Sequence, residues 1–334
     1  LSSSDPNLQN IPTRSELGRT VKTAFSAGEG SVFLAVDYSQ IELRLLAHLS
    51  GDEHLVRAFN EGEDFHAETA ARVFGVPVSE VTPDLRGRAK AVNFGIVYGQ
   101  QAYGLSQSLH ISMAEARDMI DRYYEAYPGV RTFLDNVVVR AKQTGYAETM
   151  YGRRRHIPEL KAKNPQLRGF GERTAMNHPM QGTAADIIKI AMARVSRRLE
   201  EEDFAAHMIL QVHDELDFEC PIDEVERLTA MVQDVMEHVV DLRVPLIAEA
   251  STGITWADAN RKATTVPSNQ NRRTPLINKE RPRSIIQPKY LGAKTLSWRQ
   301  ASHRRTWPGE AGKFFVDSAR AGKHLMCFPS EPRT

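Results

Sequence analysis

The alternation of apolar and polar positions predicts strands near both ends of the first 260 residues. An apolar run over residues 31–35 predicts a buried strand that leads into Asp37. Three further strands are predicted later in the chain, over residues 206–212, 216–219 and 246–254. The first two of these should form a hairpin that carries His213, Asp214 and Glu215 at its turn.

Between these strands, apolar residues recur at the three- and four-residue spacing of amphipathic helices. The predicted helices cover residues 40–49, 53–60, 65–74, 83–98, 113–126, 130–144, 171–201 and 225–240. Thr82 and Ser112 are good N-caps for the helices that follow them, and Pro179 predicts a bend in the longest helix. Residues 145–157 predict a small hairpin with a basic second arm, and a solvated turn without function is the alternative for the basic run at residues 153–155.

Strands at both ends with helices between them predict an α+β fold. This order is typical of one sheet-based domain interrupted by a helical insertion. Residues 261–334 differ, since they contain seven of the 17 prolines and only 23 of these 74 residues are hydrophobic. Their composition predicts a tail that is disordered or foreign to the domain.

The composition, 41% hydrophobic and 25% charged, is that of a soluble globular protein. The longest apolar runs are too short for a transmembrane helix, and no secretion leader opens the chain. Two cysteines, Cys220 and Cys327, are too few for a disulfide framework or a cysteine zinc site and fit a cytoplasmic location. Because the first residue is Leu1 rather than Met, we expect a piece of a longer protein.

The net charge of +1 is the sum of two opposite parts. Residues 261–334 hold 16 Lys+Arg and 4 Asp+Glu, a net +12, whereas residues 1–260 hold 27 and 38, a net −11. The near-neutral total therefore does not argue against a nucleic-acid partner. One hypothesis is that the basic tail binds nucleic acid non-specifically, and the alternative is a basic sequence without function.

Acidic residues stand where two predicted apolar strands end or turn. Asp37 ends the first strand, and Asp214 with Glu215 lies at the hairpin. Two carboxylates about 4 Å apart repel by roughly 4 kcal/mol at an effective dielectric near 20, so such a pair favours a cation between them. Oxygen ligands that leave positions for water and phosphate suit Mg²⁺. The alternative is that each acid is a solvated turn residue, and spacing alone does not show that Asp37 and Asp214 meet.

One predicted helix carries a row of cations and aromatics. Arg86, Lys90, Phe94 and Tyr98 recur every four residues and so share one helical face, over about 18 Å. The cations lie near the helix N-terminus, where the helix dipole favours anions. This order suits a nucleoside triphosphate, with phosphates at one end and sugar and base at the other. The alternative is a basic first turn followed by two core aromatics.

Together these segments resemble the C-terminal polymerase region of the family A DNA polymerases, the bacterial DNA polymerase I type. The three main motifs are residues 37–44 (DYSQIELR), 86–99 (RGRAKAVNFGIVYG) and 211–215 (QVHDE). Supporting matches are residues 1–12 (LSSSDPNLQNIP), 151–155 with Pro158, and 173–186 (RTAMNHPMQGTAAD). The resemblance runs from Leu1 to about Asn260, and residues 261–334 resemble nothing in the family.

The resemblance implies a polymerase palm whose antiparallel sheet is interrupted by a helical fingers insertion. Residues 1–49 and 173–260 would form the palm, and residues 50–172 the fingers. The thumb and any exonuclease domains of the family have no counterpart here. The family usually has an arginine just before the segment that begins at Leu1, and the net −11 fits the loss of a basic part that holds the duplex.

The resemblance also implies the reaction centre. Asp37 and Asp214 would bind two Mg²⁺ ions, with the backbone carbonyl of Tyr38 helping. Glu215 would be an auxiliary acid. Lys90 would be a candidate proton donor to the departing pyrophosphate.

For the incoming nucleotide, the resemblance implies that Arg86, Lys90 and His66 contact the phosphates. Phe94 would pack against the deoxyribose, and Tyr98 would hold the templating position before the fingers close. The remaining residues implied at this site are Gln40 and Glu42. Glu42 would occupy the space of a ribose 2′-hydroxyl and so select deoxynucleotides.

For DNA, the resemblance implies that Arg173 and Gln181 read the minor groove near the primer terminus, where acceptors are similar for all base pairs. Further implied DNA contacts are Asn7, Gln9, Asn177 and His213.

The expected function is a template-directed DNA polymerase core that adds deoxynucleoside triphosphates to a primer 3′-end and releases pyrophosphate, in DNA replication and repair. Expected partners are primer-template DNA and deoxynucleoside triphosphates, with no membrane, and we expect a monomer in the cytoplasm of a bacterial or phage-infected cell. One alternative is a single-subunit RNA polymerase of phage type. Another is a non-catalytic nucleic-acid-binding remnant.

Overall fold

A four-stranded antiparallel sheet lies at the centre of the computed structural model, which describes residues 7–11 and 16–260. Its strands are β1 (Ser31–Tyr38), β4 (His207–Val212), β5 (Glu215–Pro221) and β6 (Ala248–Gly253), in the spatial order β4-β5-β1-β6. A separate two-stranded hairpin consists of β2 (Tyr146–Glu148) and β3 (Arg154–His156). The sheet is therefore built from one early strand and three late strands, as the sequence predicts.

The register of the sheet sorts the side chains onto two faces. Val32, Leu34 and Val36 point to one face, and Phe33, Ala35 and Asp37 point to the other, because successive strand residues alternate. Leu34 and Val36 belong to the main hydrophobic core. Phe33 and Ala35 pack instead against Trp256 in a smaller cluster. The face that carries Asp37 is thus covered only by small elements from the two ends of the described chain.

Helices account for most of the chain between β1 and β4. The helices of the whole described chain are, in order, α1 (Glu16–Thr23), α2 (Ile41–Ser50), α3 (Glu53–Asn60), α4 (Phe65–Phe74), α5 (Pro83–Val97), α6 (Ala102–Leu109), α7 (Met113–Ala126), α8 (Pro128–Thr144), α9 (Pro165–Glu201), α10 (Val225–Glu237) and α11 (Trp256–Ala259), of which α2 to α9 lie between β1 and β4. Short 3-10 turns lie at Leu8–Asn10, Val78–Glu80, Pro158–Lys161 and Ile222–Glu224. A helical segment thus separates β1 from the rest of its sheet.

Local capping explains where several helices begin. The Thr82 hydroxyl accepts from the N–H of Leu85 at the start of α5, and Ser112 forms a capping box with Glu115 at the start of α7. Both caps were predicted from the sequence. Each satisfies backbone donors that the first helical turn leaves without a partner.

Several boundaries differ from the prediction for physical reasons. Asp37 lies inside β1, and Glu215 is the first residue of β5, so the hairpin turn contains only two residues. Helix α9 begins six residues earlier than predicted, at Pro165, since Asn164 caps its first turn. It continues through Pro179 as one helix.

Three helices, α1, α6 and α11, were not predicted. Each has eight residues or fewer, a length at which apolar spacing is a weak signal, although α3, which is as long as α1 and α6, was predicted. Residues 261–334, for which the sequence predicts a disordered or foreign tail, lie outside the described residues. Within the described part of the chain, no helix is long and apolar enough to cross a membrane.

Candidate active site

The sheet brings the acidic residues of the first and third motifs to one end. Asp37 pairs directly with Glu215 across β1 and β5. Asp214 occupies the turn just before β5, and its carbonyl oxygen accepts from the N–H of Tyr38 at 3.1 Å. The antiparallel register therefore joins residues that are almost 180 positions apart in the sequence.

The turn itself depends on His213. Its backbone adopts a left-handed φ of 54°, the conformation that two-residue hairpin turns require. The Nε2 of Gln211 donates to the carbonyl oxygen of His213 at 2.6 Å, and the Nε2 of Gln9 donates to the carbonyl oxygen of Gln211 at 3.0 Å. The predicted DNA contacts Gln9 and His213 thus lie together at this hairpin.

Tyr38 offers the site only its backbone. Its ring is buried on the other face of the sheet, and its hydroxyl donates to the carbonyl oxygen of Met236 at 2.7 Å. Burial, and secondarily the neighbouring Tyr151 and Glu237, raise the pKa of the Tyr38 hydroxyl. This side chain is therefore a structural anchor that fixes the end of β1.

The donors at this end of the sheet are carboxylates and backbone carbonyls. No group of three or more histidine, cysteine or acidic residues that could hold a metal occurs in the part of the chain that the structure describes. Two carboxylates and a carbonyl still fit Mg²⁺, because this ion keeps several waters and binds substrate phosphates rather than filling an all-protein cage. The chemistry of the donor set therefore fits magnesium and does not fit a closed structural metal site.

A further acid, Asp217, lies two residues after Glu215 in β5, so both side chains point to the same face of the sheet. It is fully buried, and it faces Ala35 on the neighbouring strand. Burial, then the charge and hydrogen bond of Glu215, raise the pKa of Asp217 well above its ordinary range. Sequence reasoning missed this residue, because its position inside an apolar strand only becomes informative once the register is known.

The first motif continues from β1 into α2 through a left-handed residue, Gln40, with a φ of 56°. This abrupt turn places Glu42 in the first turn of α2. The side chain of Glu42 interacts with that of Tyr98, and the charge of Asp214 acts on both residues. Burial raises the pKa of Glu42 and of Tyr98. The three main motifs therefore converge at Glu42, Tyr98 and Asp214.

Helix α5 presents the predicted row in the predicted order. Arg86 and Lys90 are exposed near its N-terminus, and Tyr98 is its C-cap, 45% exposed. The rings of Phe94 and Tyr98 are stacked, with centroids 6.5 Å apart and an interplanar angle of 19°. The C-terminal, aromatic end of α5 is thus near the carboxylates, and the cations lie further away, towards the N-terminus of the same helix.

Arg86 is paired with an acid that the sequence interpretation did not use. Its Nε lies 2.6 Å from an Oδ of Asp64. Asp64 is also the N-cap of α4, where it accepts from the N–H groups of His66 and Ala67. Its position directly before the predicted helix is the sequence signal that could have identified it.

His66 is buried beside the row, with its ring centroid 5.9 Å from that of Phe94. Its Nδ1 is hydrogen-bonded to the side-chain amide of the buried Asn93 at 2.9 Å. Burial, then the charges of Arg86 and Lys90, lower the pKa of His66 to about 4. The imidazole is therefore neutral at pH 7.

The predicted minor-groove residues follow one another along α9. Arg173, Asn177 and Gln181 are four residues apart, so they share one helical face. Arg173 packs against the end of α5, since a Cβ at Gly99 would lie 3.2–3.3 Å from its side chain and backbone. Gly99 has a φ of +64°, so this approach needs glycine for both reasons. Asn7 precedes the first 3-10 turn, away from this helix in sequence.

An antiparallel sheet with three acids at one end, faced by a helix that carries cations and aromatics, defines the polymerase class of folds. A family model described as DNA polymerase family A matches residues 1–258. Because this match covers well over half of the 334 residues of the chain, the chain belongs to DNA polymerase family A.

Similar proteins agree with this assignment. DNA polymerase I of Lactococcus lactis subsp. lactis is 50% identical over 260 residues, which are 78% of this chain and 30% of that protein. DNA polymerase I of Bacillus caldotenax is 52% identical over 260 residues. The POL domain of Pol1 from M. smegmatis, solved in complex with DNA primer-template and dNTP, has a TM-score of 0.74 and 47% identity, and the match covers 78% of this chain and 46% of that one. The chain thus spans about 30% of the length of these curated relatives.

Proposed function

We propose that the chain is the palm and fingers of a template-directed DNA polymerase, which adds deoxynucleoside triphosphates to a primer 3′-end and releases pyrophosphate. The observation that carries the proposal is the meeting of three distant motifs at Glu42, Tyr98 and Asp214. Residues 1–49 and 173–260 would be the palm, and residues 50–172 the fingers. The sheet topology supports this division, since the segment between β1 and β4 adds no strand to the central sheet.

The reaction centre would lie at the end of β1 and β5. Asp37, Asp214 and the backbone carbonyl of Tyr38 would hold two Mg²⁺ ions, which when bound make the primer hydroxyl more acidic and neutralise charge on the leaving group. The register fixes Asp37 and the hairpin turn relative to each other. The chain's part in phosphoryl transfer is then mainly positioning and charge stabilisation.

The triphosphate would lie along the first two turns of α5. Lys90 and Arg86 would bind the phosphates, and Lys90 would donate a proton to the pyrophosphate oxygen. His66, neutral at pH 7, would donate a hydrogen bond from Nε2, because its Nδ1 is bonded to Asn93. Arg86 would exchange its partner Asp64 for phosphate when the nucleotide binds.

Selection of the sugar would come from Glu42 and Phe94. Glu42 is held in place by Tyr98, so it would exclude a ribose 2′-hydroxyl, and Phe94 would pack against the deoxyribose. Gln40 turns the backbone so that Glu42 faces the site. A polymerase that prefers ribonucleotides is the second candidate, because the acids and the cations of α5 serve both reactions. Equal rates of extension with ribonucleotides and deoxynucleotides would favour that candidate.

Primer-template DNA would lie against α9 and the hairpin. Arg173, Asn177 and Gln181 share a face of α9, and Gln9 and His213 lie at the turn beside Asp214. The similar POL domain of Pol1 from M. smegmatis was solved in complex with DNA primer-template and dNTP, which supports primer-template DNA as a partner of this chain.

Primer extension by this chain tests the proposal. With Mg²⁺ and micromolar primer-template, we expect extension by the unmodified chain and a loss of at least about a thousandfold in Asp214→Ala, which removes a proposed metal ligand. Asp223→Ala is the matched control, because this exposed acid lies in the 3-10 turn after β5. Wild-type rates in Asp214→Ala, or no extension by the unmodified chain, would overturn the proposal.

A further inference from the structure

The side chain of Glu215 is held by a residue from the end of the described chain. The Nδ2 of Asn260 donates to both carboxylate oxygens of Glu215, at 3.0 and 3.1 Å. Glu215 lies directly across from Asp37 in the sheet, so its carboxylate has a like charge as its neighbour. A donor that contacts both oxygens limits the orientations of this carboxylate.

Asn260 is itself fixed on its other side. Its Oδ1 accepts a hydrogen bond from the ammonium group of Lys22, which lies in the last turn of α1. Its backbone N–H donates to the carbonyl oxygen of Trp256 at 3.0 Å, as the C-cap of α11. The amide is therefore oriented, with its oxygen towards a cation and its nitrogen towards an anion.

Lys22 is in turn held over the ring of Trp256, with its Nζ 4.0 Å from the ring centroid. Trp256 is buried and packs edge-on against Phe25, with centroids 5.5 Å apart. The ammonium group is thus placed by a rigid aromatic cluster at the face of the sheet that carries Asp37, Glu215 and Asp217.

The charges explain why such a connection is useful. The carboxylates of Asp37 and Glu215 face each other across two strands, so their like charges repel and they would turn apart unless a donor or cation holds them. Lys22 is the cation whose charge acts on Asp217, and Asn260 links it to Glu215. Asn260 lies beyond the family match, which ends at residue 258.

We propose that Lys22 and Asn260 are positioning residues, which hold the auxiliary carboxylate of Glu215 in one orientation beside the reaction centre. The proposal rests on the proposed polymerase function. A purely structural connection between α1, α11 and the sheet is the competing explanation, and the two differ in what happens when Glu215 is already altered.

Single-nucleotide extension by the full chain separates the two explanations. We expect Asn260→Ala to lower kcat about tenfold with the KM for the nucleotide unchanged, because the triphosphate contacts lie on α5. In a Glu215→Gln background, the same change should lower kcat less than twofold further. Lys22→Met keeps the stem over the Trp256 ring but removes the charge, and it should lower kcat several-fold. Lys163→Met, at an exposed lysine on the loop before α9, is the matched control.

Unfolding in urea gives a measurement that is independent of activity. If Asn260 and Glu215 interact, the double variant Asn260→Ala/Glu215→Gln should shift the unfolding equilibrium five- to tenfold less than the product of the single shifts. Additive shifts would overturn the contact. Non-additive unfolding shifts together with a normal kcat in Asn260→Ala would overturn the positioning role. A loss of kcat from Asn260→Ala that is as large in the Glu215→Gln background as in the unmodified chain would also overturn it. A chain that extends no primer would instead refute the proposed function, while the urea result would still report on the contact.

Discussion

His66 shows how a single side chain is adapted by its surroundings. It is buried against Phe65 and Phe94, its Nδ1 is engaged by Asn93, and Arg86 and Lys90 lie nearby. Each of these conditions disfavours a charged imidazole. A neutral ring can donate one hydrogen bond to a phosphate without adding a third positive charge to the row.

This environment predicts a pH dependence of stability. The pKa of His66 is lowered to about 4 in the folded chain, against about 6.5 when unfolded. The unfolded chain therefore binds the extra proton first, and stability is lost as the pH falls from 6.5 to 4. Between pH 7.5 and pH 4.5, we expect the free energy of unfolding in urea to fall by up to about 3 kcal/mol less in His66→Gln than in the unmodified chain.

The control for this experiment is His54→Gln, at an exposed histidine of α3. It should retain the wild-type loss of stability. If His66→Gln also retains the full loss between these two pH values, then His66 is not the group responsible.

Phe94 permits a second test at the residue scale. If Phe94 packs against the deoxyribose, then Phe94→Tyr adds a hydroxyl that can replace the sugar contact missing in a dideoxynucleotide. We expect better incorporation of dideoxynucleotides relative to deoxynucleotides, measured by competition in single-nucleotide extension. Unchanged discrimination would remove Phe94 from the sugar site. Phe74→Tyr, at the end of α4, is a matched control.

At the scale of elements, α4 and α5 are joined across the proposed triphosphate site. Asp64 caps α4 and also pairs with Arg86 of α5. The pair is about half exposed on both sides, so it contributes at most about 1 kcal/mol. Arg86 is also a proposed phosphate contact, so Asp64 and the triphosphate would compete for the same guanidinium group.

Asp64→Asn therefore has a defined expected result. Asparagine is an equally good N-cap, so α4 should remain intact, while the ion pair is lost. We expect the KM for the nucleotide to fall by up to about fivefold with kcat unchanged, measured in steady-state extension. Asp84→Asn, which breaks the nearby pair with Arg88 on the same helix, should leave the KM unchanged. An unchanged or higher KM in Asp64→Asn would contradict the competition.

At the scale of the whole molecule, the two oppositely charged parts make separate predictions. Residues 261–334 lie outside the described residues, and their net charge is +12. If this basic tail binds nucleic acid non-specifically, removing it should make the salt dependence of DNA binding shallower by at least about one unit of log-log slope, since each phosphate contact contributes about 0.9. An identical slope, measured by fluorescence anisotropy from 50 to 200 mM salt, would show that the tail does not contribute.

The local features of this chain were readable from its sequence. The caps Thr82 and Ser112, the strand that begins at residue 31 and the row from Arg86 to Tyr98 depend on neighbours within one or two turns. Local spacing and side-chain type determine such features, because the hydrogen bonds and packing they involve span three or four residues. The motifs that identify the family are of the same local kind.

Pairing between distant segments was decided only by the tertiary structure. The sequence places Asp37 and Asp214 at strand ends, but the antiparallel register alone brings those ends together. The bonds from Asp64 to Arg86 and from Asn260 to Glu215 likewise join separate elements. Such contacts form because burial of the sheet and helices fixes the register, and a shift of one residue would turn Asp37 to the opposite face.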